Sequence, residues 1–171
     1  MLSLRVRLAV LAAPVLLLGT MPAHADKPTW TPIAELLIGS LGKTDAVSLA
    51  DVMTRCTALS MTLSGLTADF SPEMSQLYKD QANRFIEHSL RIESQVQADQ
   101  SGEITDLEEL SGATREKLKT MVIGYSDWMD DNMEAGGSLF DREIEMEIDS
   151  CHLATRLVSQ LSYMPDGSVP E

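Results

Sequence analysis

Four long stretches of this chain repeat apolar residues at intervals of three and four, the spacing that lines one face of an α-helix. In the first, Leu49, Val52, Met53, Cys56, Leu59, Leu63 and Leu66 form a single stripe on a helix beginning near Thr44 or Asp45. Asp69-Phe70-Ser71-Pro72 reads as a turn. Ser71 is placed to cap a second helix, with Pro72 at its first position and Glu73 adding negative charge to its first turn. The stripe of that helix is Met74, Leu77, Tyr78, Ala82, Phe85, Ile92 and Val96, widened by Ile86 and Leu90. A third helical region runs from Ile104 to Met133, with Ser111-Gly112 interrupting its pattern. Its buried face is Leu118, Met121, Val122, Tyr125, Trp128 and Met129, and Gly136-Gly137 stops it. The fourth helix starts near Ser138 and carries Phe140, Ile144, Ile148, Cys151, Ala154, Val158 and Leu161. Ile144, Met146 and Ile148 also alternate with acids at period two, as in an exposed strand. The helical period continues on both sides, so helix is the preferred reading.

The expected fold is all-α, an antiparallel four-helix bundle over residues 44–164 with a short N-terminal helix and one disulfide. Residues 26–43 form a tether. Within it Thr31 caps, Pro32 leads, Ile33 to Ile38 are helical, and Gly39 and Gly42 end the helix. Trp30 either packs back onto the domain or marks a contact surface. Cys56 and Cys151 lie near the middles of the first and fourth long helices, both on apolar stripes. Antiparallel neighbours would bring these midpoints together as a disulfide. Residues 165–171 are an expected disordered tail.

Residues 1–25 have the layout of a secretory signal. Arg5 and Arg7 precede an uncharged apolar run, Leu8 to Leu18, and Ala23-His24-Ala25 offers a cleavage site before Asp26. The expected location is therefore periplasmic or secreted, by bacterial export. The remaining residues hold no second apolar run of membrane length, so no stable membrane insertion is expected after cleavage.

The formal net charge is −13. Without residues 1–25, all 26 acidic residues remain against 11 basic ones, a net charge of −15. Such a surface repels nucleic acid and anionic headgroups, and favours cations, basic proteins or plain solubility.

Acidic charge is densest from Asp127 to Asp149, where nine acids surround a single base, Arg142. Asp127/Asp131, Asp130/Glu134 and Glu143/Glu147 are spaced four apart, so on helices their carboxylates share faces and repel. A basic partner or cation would relieve that repulsion. Asp127, Asp130, Asp131, Glu134, Glu143 and Glu147 are therefore the candidate partner-binding residues. Asp130, Asn132, Glu134, Gly136, Ser138 and Asp141 also fall at positions 1, 3, 5, 7, 9 and 12 of a twelve-residue calcium frame. Asp130, Asn132, Glu134, Ser138 and Asp141 are its candidate ligands. The frame departs from an EF-hand: Ala135 stands where the sharp turn wants Gly, Gly137 replaces an apolar residue, Asp141 is shorter than Glu, and no second loop pairs with it. An ordinary acidic turn between helices is the competing reading.

His88 and His152 each border an apolar stripe; paired with Met53 or Met61, His152 is a weak basis for haem ligation. The methionines are spread along the stripes as core filler rather than gathered for copper. No G-x-S-x-G, H-E-x-x-H or phosphate loop is present, and no catalytic residues are assigned. The expectation is a non-catalytic cell-envelope interaction protein using the acidic face 127–149. A calcium-binding protein is the alternative, and an enzyme with an unrecognised site the next; no other cofactor is expected.

Overall fold

The computed structural model describes residues 28–43, 46–101 and 107–161. The expected export signal and the tail 165–171 lie outside these residues. Five helices and no strand are present among the described residues: α1 Ile33–Lys43, α2 Ala46–Thr67, α3 Pro72–Ser101, α4 Leu107–Gly136 and α5 Arg142–Leu161. The segment with strand-like alternation is helical, and its Ile144 is fully buried.

Helix boundaries differ from the sequence expectation in three places. The first helix continues through Gly39 to Lys43. α4 runs unbroken through Ser111-Gly112, because buried Leu110 and Thr114 anchor the turns on either side. One helical glycine costs only about 1 kcal/mol relative to alanine, which such packing offsets. α5 begins at Arg142 rather than near Ser138. Asp141 is its cap, its Oδ1 accepting the N–H groups of Glu143 and Ile144 at 3.0 and 2.8 Å. The preceding helix closes on Gly137, whose φ of 71° is left-handed and whose N–H donates to Met133 O at 2.9 Å.

The single stripe expected for α2 is only part of its buried surface. Every residue from Val52 to Ser60 is buried, polar ones included. The reason is position: α2 packs against α1, α3, α4 and α5, so it has no broad solvent face. Its polar residues are tolerated because they are short and internally bonded. Thr54, Thr57 and Thr62 hydroxyls donate to the carbonyls four residues back, at 2.9, 2.8 and 3.1 Å.

The most extensive contact is α2 against α3. On α3 the small residues Ser75, Ala82 and Ser89 recur every seven positions and are all buried. Ser64 and Ser75 exchange hydroxyl-to-carbonyl bonds at 3.0 and 2.9 Å. The Thr54 and Ser89 hydroxyls lie 2.7 Å apart. This seam satisfies its own polar groups, as burial requires.

Cys56 on α2 and Cys151 on α5 are joined by a disulfide with a Cα–Cα distance of 5.4 Å, as their stripes predict. Among the described residues the backbones of α4 and α5 make no direct contact. Instead α1 packs on α2 and α5, burying Ile33 and Leu37, while Trp30 packs edge-on against Tyr125 of α4 with ring centroids 5.1 Å apart. Trp30 thus packs back onto the core. No helix is long and apolar enough to cross a membrane among the described residues.

Candidate functional site

The acidic surface is carried mainly by the last third of α4. Asp127, Asp130 and Glu134 are exposed and Asp131 is half-buried. Because α4 is continuous to Gly136, the pairs Asp127/Asp131 and Asp130/Glu134 do share helical faces. They also sit toward the negative end of the helix dipole, with no basic residue in the last turn. Glu143 is exposed in the first turn of α5, where the dipole favours it.

The calcium frame does not form a loop. Its first seven positions belong to α4, where residues two apart point about 200° from each other, so Asn132 faces away from Asp130 and Glu134. Ser138 Oγ accepts the Phe140 N–H at 3.3 Å. The Asp141 carboxylate is spent on the α5 cap and on the Trp128 indole N–H at 3.2 Å. No group of three or more His, Cys, Asp or Glu is arranged to hold a metal among the described residues. His88 is half-buried on α3, His152 is exposed on α5, and Met53 is enclosed in the core.

Glu147 departs most from the sequence reading. Its spacing from Glu143 places it on an exposed acidic face, yet it is buried. Its carboxylate forms an ion pair with Arg55 of α2 and accepts the Tyr125 hydroxyl at 2.7 Å. The other oxygen accepts the Ile33 N–H at 2.8 Å, so Glu147 also places negative charge at the N-terminus of α1. Arg55 donates to the Thr31 carbonyl, lies 3.3 Å from the Tyr125 hydroxyl, and stacks over the Trp30 ring at 5.3 Å. Tyr125 is itself stacked on Trp128, with centroids 6.4 Å apart. Burial, then the adjacent Glu147 charge, push the Tyr125 phenol well above its ordinary range, with Arg55 opposing, so it stays a donor.

The network joins α1, α2, α4 and α5 through one carboxylate. A sequence signal for it exists: Arg55 is the one charged residue between Asp51 and Asp69, and it neighbours Cys56. Once Cys56 is bonded to Cys151, Glu147 lies one helical turn from the bond and is the nearest acid toward the α5 N-terminus on that face. A crevice of about 120 Å³ opens beside the network, between Trp30, Trp128, Glu143 and Met146. It is too small for a typical ligand site of ~300 Å³ or more.

No family model, no curated protein and no solved structure matches this chain.

Proposed function

We propose that the protein is a non-catalytic binding protein of the cell envelope that holds a basic partner against Asp127, Asp130, Asp131, Glu134 and Glu143. The observation that carries this reading is the placement of four of these acids on the C-terminal part of one unbroken helix. There they repel one another and oppose the helix dipole, a cost that a cationic partner would relieve. Glu147, the one acid of that stretch buried in the core, is neutralised internally by Arg55 and leaves the outward set. The disulfide and the buried ion pair hold α5 to α2, and the Tyr125 hydroxyl bond to Glu147 ties α4 to the same network.

Export by residues 1–25 to the periplasm or beyond belongs to the same proposal. The Cys56–Cys151 bond supports an oxidising compartment. The reading of α2 to α5 as an antiparallel four-helix bundle is also part of this proposal, and the short connection 68–71 with the extensive α2–α3 contact supports it.

The test is capture from an envelope extract on the immobilised protein, at low and high salt, beside the variant Asp130→Asn/Asp131→Asn/Glu134→Gln. The expected partner is basic, is released by salt, and is lost from the variant. Partners retained equally by the variant would contradict the proposal.

A further inference from the structure

A second surface carries two arginines and a histidine beside exposed apolar surface. Between α3 and α5 lies a groove of about 470 Å³, within the size range of small-molecule sites. Its apolar lining residues are Leu77, 58% exposed, and the buried Phe85. Its rim carries Arg84, Arg156 and His152. The two walls are tied by a hydrogen bond from Gln81 Nε2 to Thr155 Oγ1 at 3.1 Å.

Two arginines at one groove are notable in a chain whose acids outnumber its bases by two to one. Neither guanidinium is salt-bridged among the described residues. The one acid in the lining, Asp80, accepts a hydrogen bond from Gln76 of its own helix at 2.9 Å. The groove thus combines forked donors, without a salt bridge among the described residues, with apolar lining. Arginine forks match carboxylate and phosphate oxygens, and the apolar lining offers burial to a hydrocarbon chain.

We propose that this groove binds a single-chain amphiphilic anion. Arg84 and Arg156, with His152, hold its carboxylate or phosphate head, and exposed Leu77, beside the buried Phe85, receives its apolar chain. The site is separate from the acidic surface of α4 and stands whether or not that surface recognises a partner.

The test is a titration of the purified protein with octyl phosphate, followed by amide chemical shifts. Octanol, inorganic phosphate, octylammonium and phosphatidylglycerol vesicles are run in parallel. Octyl phosphate is expected to saturate, with shifts concentrated at residues 77–85 and 152–156. Arg84→Gln/Arg156→Gln should weaken it at least about tenfold at unchanged melting temperature, since both side chains are exposed. Leu77→Ala should weaken it several-fold through the lost apolar contact. Octanol, inorganic phosphate and octylammonium should each bind at least about tenfold more weakly at this site. Equal binding of octanol would mean a plain apolar crevice, and equal binding of inorganic phosphate would mean that the apolar lining contributes nothing. Binding of the vesicles without the monomer would mean a membrane surface. Any of these results, or indifference to the arginine substitutions, overturns the proposal.

Discussion

Arg55 on α2 and Glu147 on α5 form an ion pair with side-chain exposures of only 5% and 7%. Each charge has been taken out of water, so each depends on the other and on the bonds from Ile33 and Tyr125. The pair explains why the N-terminal segment belongs to the core. Glu147 accepts from the first residue of α1, and Arg55 holds the Thr31 carbonyl just before it.

Arg55→Met or Glu147→Leu alone should therefore destabilise the protein by about 3–5 kcal/mol, because each leaves a buried charge uncompensated. The double variant should lose less than the sum of the two. Recovery will be incomplete, since the Ile33 N–H and the Thr31 carbonyl lose their partners. Urea unfolding of the four proteins measures the coupling; strict additivity would mean the pair is not a unit.

The Cys56–Cys151 bond spans 95 positions. A loop of that length implies about 4–5 kcal/mol of stabilisation in the chain-entropy model. Cys56→Ala/Cys151→Ala should lower the melting temperature accordingly, with some of the loss due to the two trimmed core side chains. The wild-type protein should show no reactive thiol before reduction and two after it.

Two glycines of α4 should respond oppositely to alanine. At Gly112 an added Cβ meets nothing within 4 Å, so Gly112→Ala should stabilise by about 0.5–1 kcal/mol through helix propensity. At Gly124 the same atom would lie 2.8 Å from the Trp30 ring, which is itself held by Tyr125 and Arg55. Gly124→Ala should lose that gain and destabilise by about 1–3 kcal/mol, with altered tryptophan fluorescence. Thermal melts of the pair check this; equal stabilisation would mean that Trp30 is not wedged against α4.

Tyr125 gives the account an alkaline signature. Its folded pKa lies above the unfolded value of 10.0, chiefly through burial. The folded state keeps a proton that the unfolded state releases, so this contribution is complete below pH 10.0 and fades as pH rises beyond it. Tyr125→Phe should be less stable near neutrality by about 1–3 kcal/mol, having lost the bond to Glu147. Its stability should fall less steeply as pH rises above about 10. Denaturant titrations across that range would reveal a shared slope if Tyr125 were ordinary.

The helices and the disulfide are legible in the sequence because both depend on period. Apolar residues at three- and four-residue spacing mark α2 to α5, and both cysteines lie on those stripes. The full burial of α2 is not legible by the same rule. Thr54, Thr57, Ser60 and Thr62 read as a polar face, yet their hydroxyls can bond within the helix and so enter the core. Glu147 is misread for a related reason: spacing reports which acids share a face, but not that Arg55 approaches that face from another helix. The candidate acidic set is otherwise legible as surface, since Asp127, Asp130, Glu134 and Glu143 are all exposed. The calcium frame is not a single loop, because α4 continues through its first seven positions, and spacing alone does not report that.

The acidic surface is tested most directly by titrating a short oligolysine peptide into wild type and two charge-matched variants. One is Asp130→Asn/Asp131→Asn/Glu134→Gln on α4; the other is Asp69→Asn/Glu73→Gln/Glu87→Gln, exposed acids of the α2–α3 turn and α3. The α4 variant should be as stable as wild type or more so, by about 0.3–1 kcal/mol per site at low salt, because it removes charge near a helix C-terminus. It should also bind the peptide more weakly, with a shallower salt dependence, while the control variant binds nearly as wild type does. Equal loss in both variants would mean that the peptide senses only net charge. That result, or a lower melting temperature for the α4 variant, would contradict a recognition surface at Asp130, Asp131 and Glu134.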